Sequence, residues 1–282
     1  MKKITIFFSL LCIIAGTDLQ AQALPQPSPL AKIEQRVGLT DVVLVYSRPS
    51  AKGRVIWGGL VPYGKLWRTG ANKATAITFS EDVKVNGEML PKGEYAIFTI
   101  PDKDQWTVIF NKDTDQSGTG KYSEEKDALR VTAKPQKSPA KVETMLFAFD
   151  NLKDSQADLV LYWDEVMVPL AITVDTDTRA MANIEAATKD PKSDFRVFNN
   201  SANYLLNNDK DAALALTYAK RSVGMEEKFW NVYTLSKAYA ANGMYKDAIK
   251  AAEKSKKMAE EEEYAPYIKM NEENITSWKK AK

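Results

Sequence analysis

Apolar residues in this chain follow two rhythms. From Val42 to Val174 they come in short runs that alternate with polar residues, as in Val83-Lys84-Val85 and in Val166, Val168, Leu170, Ile172 and Val174. A period of two buries one side of a strand and leaves the other wetter. Strands are predicted at Val42–Tyr46, Ile77–Phe79, Glu94–Ile100, Trp106–Phe110, Leu129–Ala133, Val142–Phe149, Ala157–Trp163 and Val166–Val174. Asn86-Gly87 readily takes φ > 0 at both central turn positions, so residues 82 to 90 predict a tight hairpin. Asp164-Glu165 is read as the turn joining the last two strands, and LPQPSPLAK at 24 to 32 as an extended lead-in. Many short strands with frequent turns imply a mostly antiparallel β-sandwich, expected over residues 24–175.

After about Asp177 the rhythm changes. Ala, Lys and Glu rise, and apolar residues recur at helical spacing through a domain expected over 176–282. Leu235, Ser236, Tyr239, Gly243, Tyr245, Ala248, Ala252 and Ser255 are spaced as large and small residues between two antiparallel helices. This spacing resembles the tetratricopeptide repeat, with Ser255 where Ala is usual and Glu260 where Pro is common. Ala202, Leu205, Ala212, Leu216 and Ala219 repeat the pattern upstream. Matching Asp211-Ala212 to Asp247-Ala248 gives an offset of 36 residues. A last helix is predicted around Pro266 to Lys280.

The first residues alter the picture of where the protein works. Lys2 and Lys3 precede an apolar run from Ile4 to Ala15 that is too short to span a bilayer, and Ala21-Gln22-Ala23 fits a small-x-small cleavage site. Residues 1–23 are therefore read as a signal peptide, which implies export and leaves no transmembrane span after cleavage. Cys12 is the only cysteine, so the processed chain has no disulfide and depends on core burial. Removing Lys2, Lys3 and Asp18 leaves 37 basic and 36 acidic residues, a balance that argues against nucleic-acid binding. The chain has no histidine, which excludes Ser-His-Asp triads and imidazole-ligated zinc or haem. No cofactor is expected.

Against this neutral background the segment from Tyr46 to Asn72 stands apart. Arg48, Lys52, Arg54, Lys65 and Arg68 share it with Tyr46, Trp57, Tyr63 and Trp67, and no Asp or Glu occurs between Asp41 and Glu81. One reading is a recognition surface formed by Arg48, Lys52, Arg54, Trp57, Tyr63, Trp67, Arg68 and Asn72. Its rings would stack on a sugar or cation, and its guanidinium groups would grip carboxylates or phosphates with paired N–H donors. The other reading is structural, with Trp57 and Trp67 plugging the sandwich end. Further on, Asp113, Asp115, Ser117 and Glu124 have the oxygen spacing of a calcium loop without its flanking helices; Asp, Ser and Gly also simply make turns.

Several stretches carry a family resemblance: Ser28-Pro29, YSRPSAKGR from Tyr46, IWGGLVPYGKLWRTGAN from Ile56, ITFSEDVKVNG from Ile77, LPKGEYAIFTIP from Leu90, and Trp106 to Asn111. From about Ser28 to Asp175 the chain resembles the bacterial domain of unknown function 2911 family. Members look like exported proteins, often with a helical-repeat tail, so the resemblance implies the periplasm or cell surface of a Gram-negative bacterium. It implies no activity. Two functions are therefore carried forward. The first is a non-catalytic binding or scaffold protein whose loop recognises an anionic or carbohydrate ligand and whose tail contacts a protein. The second is a histidine-independent hydrolase or lyase acting on polysaccharide, which would need acids beside Arg48 and Arg68.

Overall fold

A computed structural model describes residues 24–281; the signal-peptide reading of 1–23 lies outside the described residues. The chain divides into two units between Val174 and Asp175.

Among the described residues the first unit holds ten strands: β1 (Leu30–Val37), β2 (Thr40–Ser47), β3 (Thr75–Phe79), β4 (Val83–Val85), β5 (Glu88–Leu90), β6 (Gly93–Ile100), β7 (Trp106–Asn111), β8 (Asp127–Ala133), β9 (Gln136–Lys153) and β10 (Gln156–Val174). They form a six-stranded sheet, β1-β2-β3-β6-β7-β8, and a four-stranded sheet, β5-β4-β10-β9, antiparallel throughout. The alternation that predicts the strands also builds the core. Val42, Leu44, Ile77, Phe79, Ile97, Val108 and Phe110 of the larger sheet share one cluster with Val83, Val85, Leu159, Leu161, Leu170 and Ile172 of the smaller. The two sheets therefore pack as a sandwich, and each fully buried aliphatic or Phe side chain contributes about 1.5–3 kcal/mol. Strands β6 and β7 are apolar on both faces. Their outward Ala96, Phe98 and Ile109 join Ala74 under Leu66, Ile100 and Tyr122.

The β4–β5 hairpin turns at Asn86 (φ 48°) and Gly87 (φ 92°), as the Asn-Gly pair predicts. Two expectations are corrected. The lead-in ends early, because β1 begins at Leu30 and pairs along its whole length with β2. Asp164-Glu165 is not a turn: β10 runs through it unbroken. Asp164 takes φ 54° and ion-pairs with Lys141, while the register against β9 shifts on either side of it. A left-handed Asp serves here as a bulge, which bends a strand instead of ending it.

The described residues of the second unit form six helices: α1 (Thr176–Lys189), α2 (Phe195–Asn207), α3 (Ala212–Met225), α4 (Phe229–Ala241), α5 (Tyr245–Glu261) and α6 (Ala265–Ala281). Helices α2 with α3, and α4 with α5, are consecutive packed pairs, and α6 packs on α5. Fully buried Ala215 and Ser222 of α3 stand where Ala248 and Ser255 stand in α5. The repeat offset is therefore 33 residues, which corrects the value of 36. Each serine donates to the first carbonyl of the preceding helix, Ser222 Oγ to Phe195 O and Ser255 Oγ to Phe229 O, both at 2.7 Å. Each also accepts from a buried amide on the following helix, Asn231 Nδ2 at 3.0 Å and Asn271 Nδ2 at 2.9 Å. The departure from Ala at Ser255 is thus one half of a repeated polar lock. None of the described helices is long and apolar enough to cross a membrane.

Candidate functional site

The segment between β2 and β3 begins by pairing with β9. Ala51 N–H donates to Glu143 O, and Met145 N–H donates to Pro49 O. It then makes a closed turn from Val55 to Val61, and later forms a bridge in which Trp67 exchanges both backbone bonds with Thr99 at the end of β6. Backbone alternation there sends Trp67 into the core. Trp67 is 9% exposed, and its Nε1 donates to Gly70 O at 3.1 Å. The Trp57 ring lies 5.9 Å from it, 4.9 Å from Trp106 and 5.8 Å from Trp163. Trp67 and Trp163 are stacked at 5.9 Å. Four of the six tryptophans of the chain therefore form one cluster inside the sandwich. Trp57 Nε1 is buried without a hydrogen-bond partner.

The other predicted site residues scatter around this plug. Arg48 Nε donates to Met145 O at 2.9 Å. Arg54 donates from Nε to Ala51 O and from Nη2 to Ser50 O. Asn72 Nδ2 reaches Ser28 O and Ser47 Oγ, tying the segment to the chain entering β1. Tyr63 packs its ring against Gly58, where a Cβ would sit 2.9 Å from Tyr63 Cε2. Lys52 is exposed, and its backbone N–H donates to Glu143 Oε1 at 2.7 Å. Among the described residues, Glu143 is the acid that a hydrogen bond attaches to this segment before Lys73. Arg68 is half-buried; its Nε has no partner, and burial holds the guanidinium pKa below its ordinary value.

The structure thus brings Trp57 and Trp67 together and fixes Arg48, Arg54 and Asn72 to separate oxygen acceptors. Among the described residues, none of Arg48, Lys52, Arg54, Lys65 and Arg68 makes an ion pair. The next cation along does: Lys73 binds Asp115 at 2.8 Å.

The residues of the calcium spacing have partners of their own. Asp113 pairs with Lys126, Asp115 with Lys73, and Glu124 with Arg130, while Ser117 bridges the backbone to Lys73. Among the described residues, no group of three or more Asp, Glu, His or Cys is placed to hold a metal. The same segment instead closes a polar network that its sequence does not disclose. Asn111 Nδ2 donates to Asp127 Oδ1, and Tyr122 Oη and Arg130 Nε both donate to Asp127 Oδ2, each at 2.7 Å. Burial and the bond to Asp127 push the Tyr122 pKa up to about 12. The one hint in the sequence is Asn111, a polar residue closing the apolar run Trp106–Phe110.

The family described as Protein of unknown function (DUF2911) matches residues 28–172, more than half the chain and nearly all of the sandwich. The chain belongs to this family. No curated protein and no solved structure matches it. The DUF2911 match spans the whole tryptophan cluster and all five unpaired cations, and it ends before the helices begin.

Proposed function

We propose that this is an exported binding or scaffold protein of the periplasm or cell surface, and that the segment from Arg48 to Arg68 binds an anionic ligand. One observation carries the reading: five cations in an acid-free segment, none of them ion-paired among the described residues. Folding uses Arg48 and Arg54 to tie backbone carbonyls, but gives little reason to keep Lys52, Lys65 and Arg68. A half-buried guanidinium whose Nε lacks a partner weakens the fold, and such groups are retained where function uses them. The tryptophans serve the reading indirectly, by making the base of the segment rigid. With Trp57 and Trp67 in the cluster, sugar stacking falls to Tyr63, which favours charge over ring contacts as the means of recognition.

A groove of about 260 Å³ between α3, α4 and α5, lined by Val223, Leu235, Tyr239, Lys250 and others, supports contact of the helical unit with a protein. The test of the main reading is an array of sulfated, phosphorylated, carboxylated and neutral glycans probed with wild type and Arg68→Ala. Retention of anionic members and its loss in the variant are expected. Equal retention of neutral and anionic members, or no retention, overturns the reading.

A further inference from the structure

The turn from Val55 to Val61 has two apolar faces, and only one of them is used by the fold. Four backbone bonds close it: Leu60 N–H to Val55 O, Val61 N–H to Ile56 O and Gly58 N–H to Val61 O, each at 2.9 Å, and Gly59 N–H to Ile56 O at 3.3 Å. Ile56 and Val61 point inward and are buried in the main core. Val55 and Leu60, joined across the turn by one of these bonds, are 74% and 44% exposed. The turn is also stiff. Gly58 takes φ 81° with the Tyr63 ring against it, and a Cβ on Gly59 would collide with the Val55 carbonyl oxygen. Exposed Lys52 and Arg54 precede this pair of side chains, and exposed Lys65 follows it.

We propose that this turn docks on the surface of an anionic bilayer. Val55 and Leu60 enter the boundary between headgroups and acyl chains, and Lys52, Arg54 and Lys65 meet the lipid phosphates. The inference rests on the anion-binding reading above and names its ligand. A soluble polyanion would match the cations and leave Val55 and Leu60 in water. A neutral bilayer would cover the apolar pair and leave the cations unmatched. An anionic bilayer satisfies both, and a turn already held by four bonds loses little freedom on insertion.

The experiment measures co-sedimentation of the chain from Leu24 to Lys282, which keeps every described residue, with vesicles of phosphatidylcholine alone or mixed with phosphatidylglycerol. Dextran sulfate serves as the soluble anionic probe. Wild type should bind the anionic vesicles at least about tenfold more tightly than the neutral ones. The triple variant Lys52→Ala, Arg54→Ala, Lys65→Ala should lose on the order of 10²-fold on anionic vesicles and also weaken on dextran sulfate. The double variant Val55→Ser, Leu60→Ser should lose about tenfold on vesicles and nothing on dextran sulfate, with its melting temperature unchanged because both side chains are exposed. The bilayer inference is overturned, with the anion reading intact, if the double variant binds anionic vesicles like wild type, or if wild type binds dextran sulfate and not vesicles. Absence of binding to both probes overturns both.

Discussion

Replacing Trp67 with alanine should strip the centre from the tryptophan cluster. The side chain is almost fully buried, and its ring meets Trp57 at 5.9 Å, Trp106 at 6.5 Å and Trp163 at 5.9 Å. Each such contact is worth about 0.5–1.5 kcal/mol beyond area burial. The indole N–H also satisfies Gly70 O, and a buried carbonyl left without a donor costs about 1–3 kcal/mol. These terms place Trp67→Ala toward the upper end of the usual ~3–5 kcal/mol for a core Trp→Ala change. For a domain of this size that lowers the melting temperature of the β unit by about 10–20 °C. Thermal denaturation followed by near-ultraviolet circular dichroism reports on this unit, because four of the six indoles sit in its cluster. Trp67→Phe keeps much of the apolar area but also loses the bond to Gly70 O, and should lose about 2–3 kcal/mol. A melting temperature for Trp67→Ala within about 2 °C of wild type would show that the cluster does not hold the segment.

Other perturbations reach different parts of the molecule. Ser255→Ala, the residue usual at this position in the repeat it resembles, removes the bonds to Phe229 O and from Asn271 Nδ2, which keeps only Tyr267 O, and should destabilise the helical unit by about 1–2 kcal/mol in urea denaturation; an unchanged midpoint would dismiss the polar lock. Tyr122 ionises near 12 in the folded chain against an ordinary 10, so its contribution to stability is complete below pH 10 and is lost as pH rises from about 10 to about 12. In a tyrosinate absorbance titration, Asp127→Asn should bring one late-titrating tyrosine back toward 10, and a superimposable curve would count against the network. Gly59→Ala must displace the Val55 carbonyl and open the turn, so it should weaken anion binding several-fold; full retention of binding would mean that the shape of the turn is immaterial.

Local chemistry was the legible part of this sequence. Asn86-Gly87 names its own hairpin, and the alternation at Val166, Val168, Leu170, Ile172 and Val174 gives both strand and buried face. Asp164-Glu165 misleads because it carries a turn composition, yet the pairing of β10 with β9 on both sides carries the strand through. Strand β1 is quiet in sequence because it is a sheet edge: Lys32, Glu34 and Arg36 face out, and only Val37 is fully buried. The offset of 36 fails because Asp211-Ala212 imitates Asp247-Ala248, whereas the buried counterpart of Ala248 is Ala215. At the candidate site the cations were visible as composition. The plug was only half visible, since nothing local announces that Trp57 and Trp67 meet Trp106 and Trp163 from distant strands.

Arg68 separates recognition from architecture most directly. Its guanidinium is half-buried, its Nε is unpartnered, and burial lowers its pKa. Arg68→Met keeps the length and apolar body of the side chain and removes the charge. Melting temperature and dextran sulfate affinity are to be measured on the same preparation. The expected result is a melting temperature equal to or above that of wild type, together with an affinity about five- to tenfold weaker. A melting temperature lower by several degrees with affinity unchanged would contradict it, and would make Arg68 a part of the fold alone.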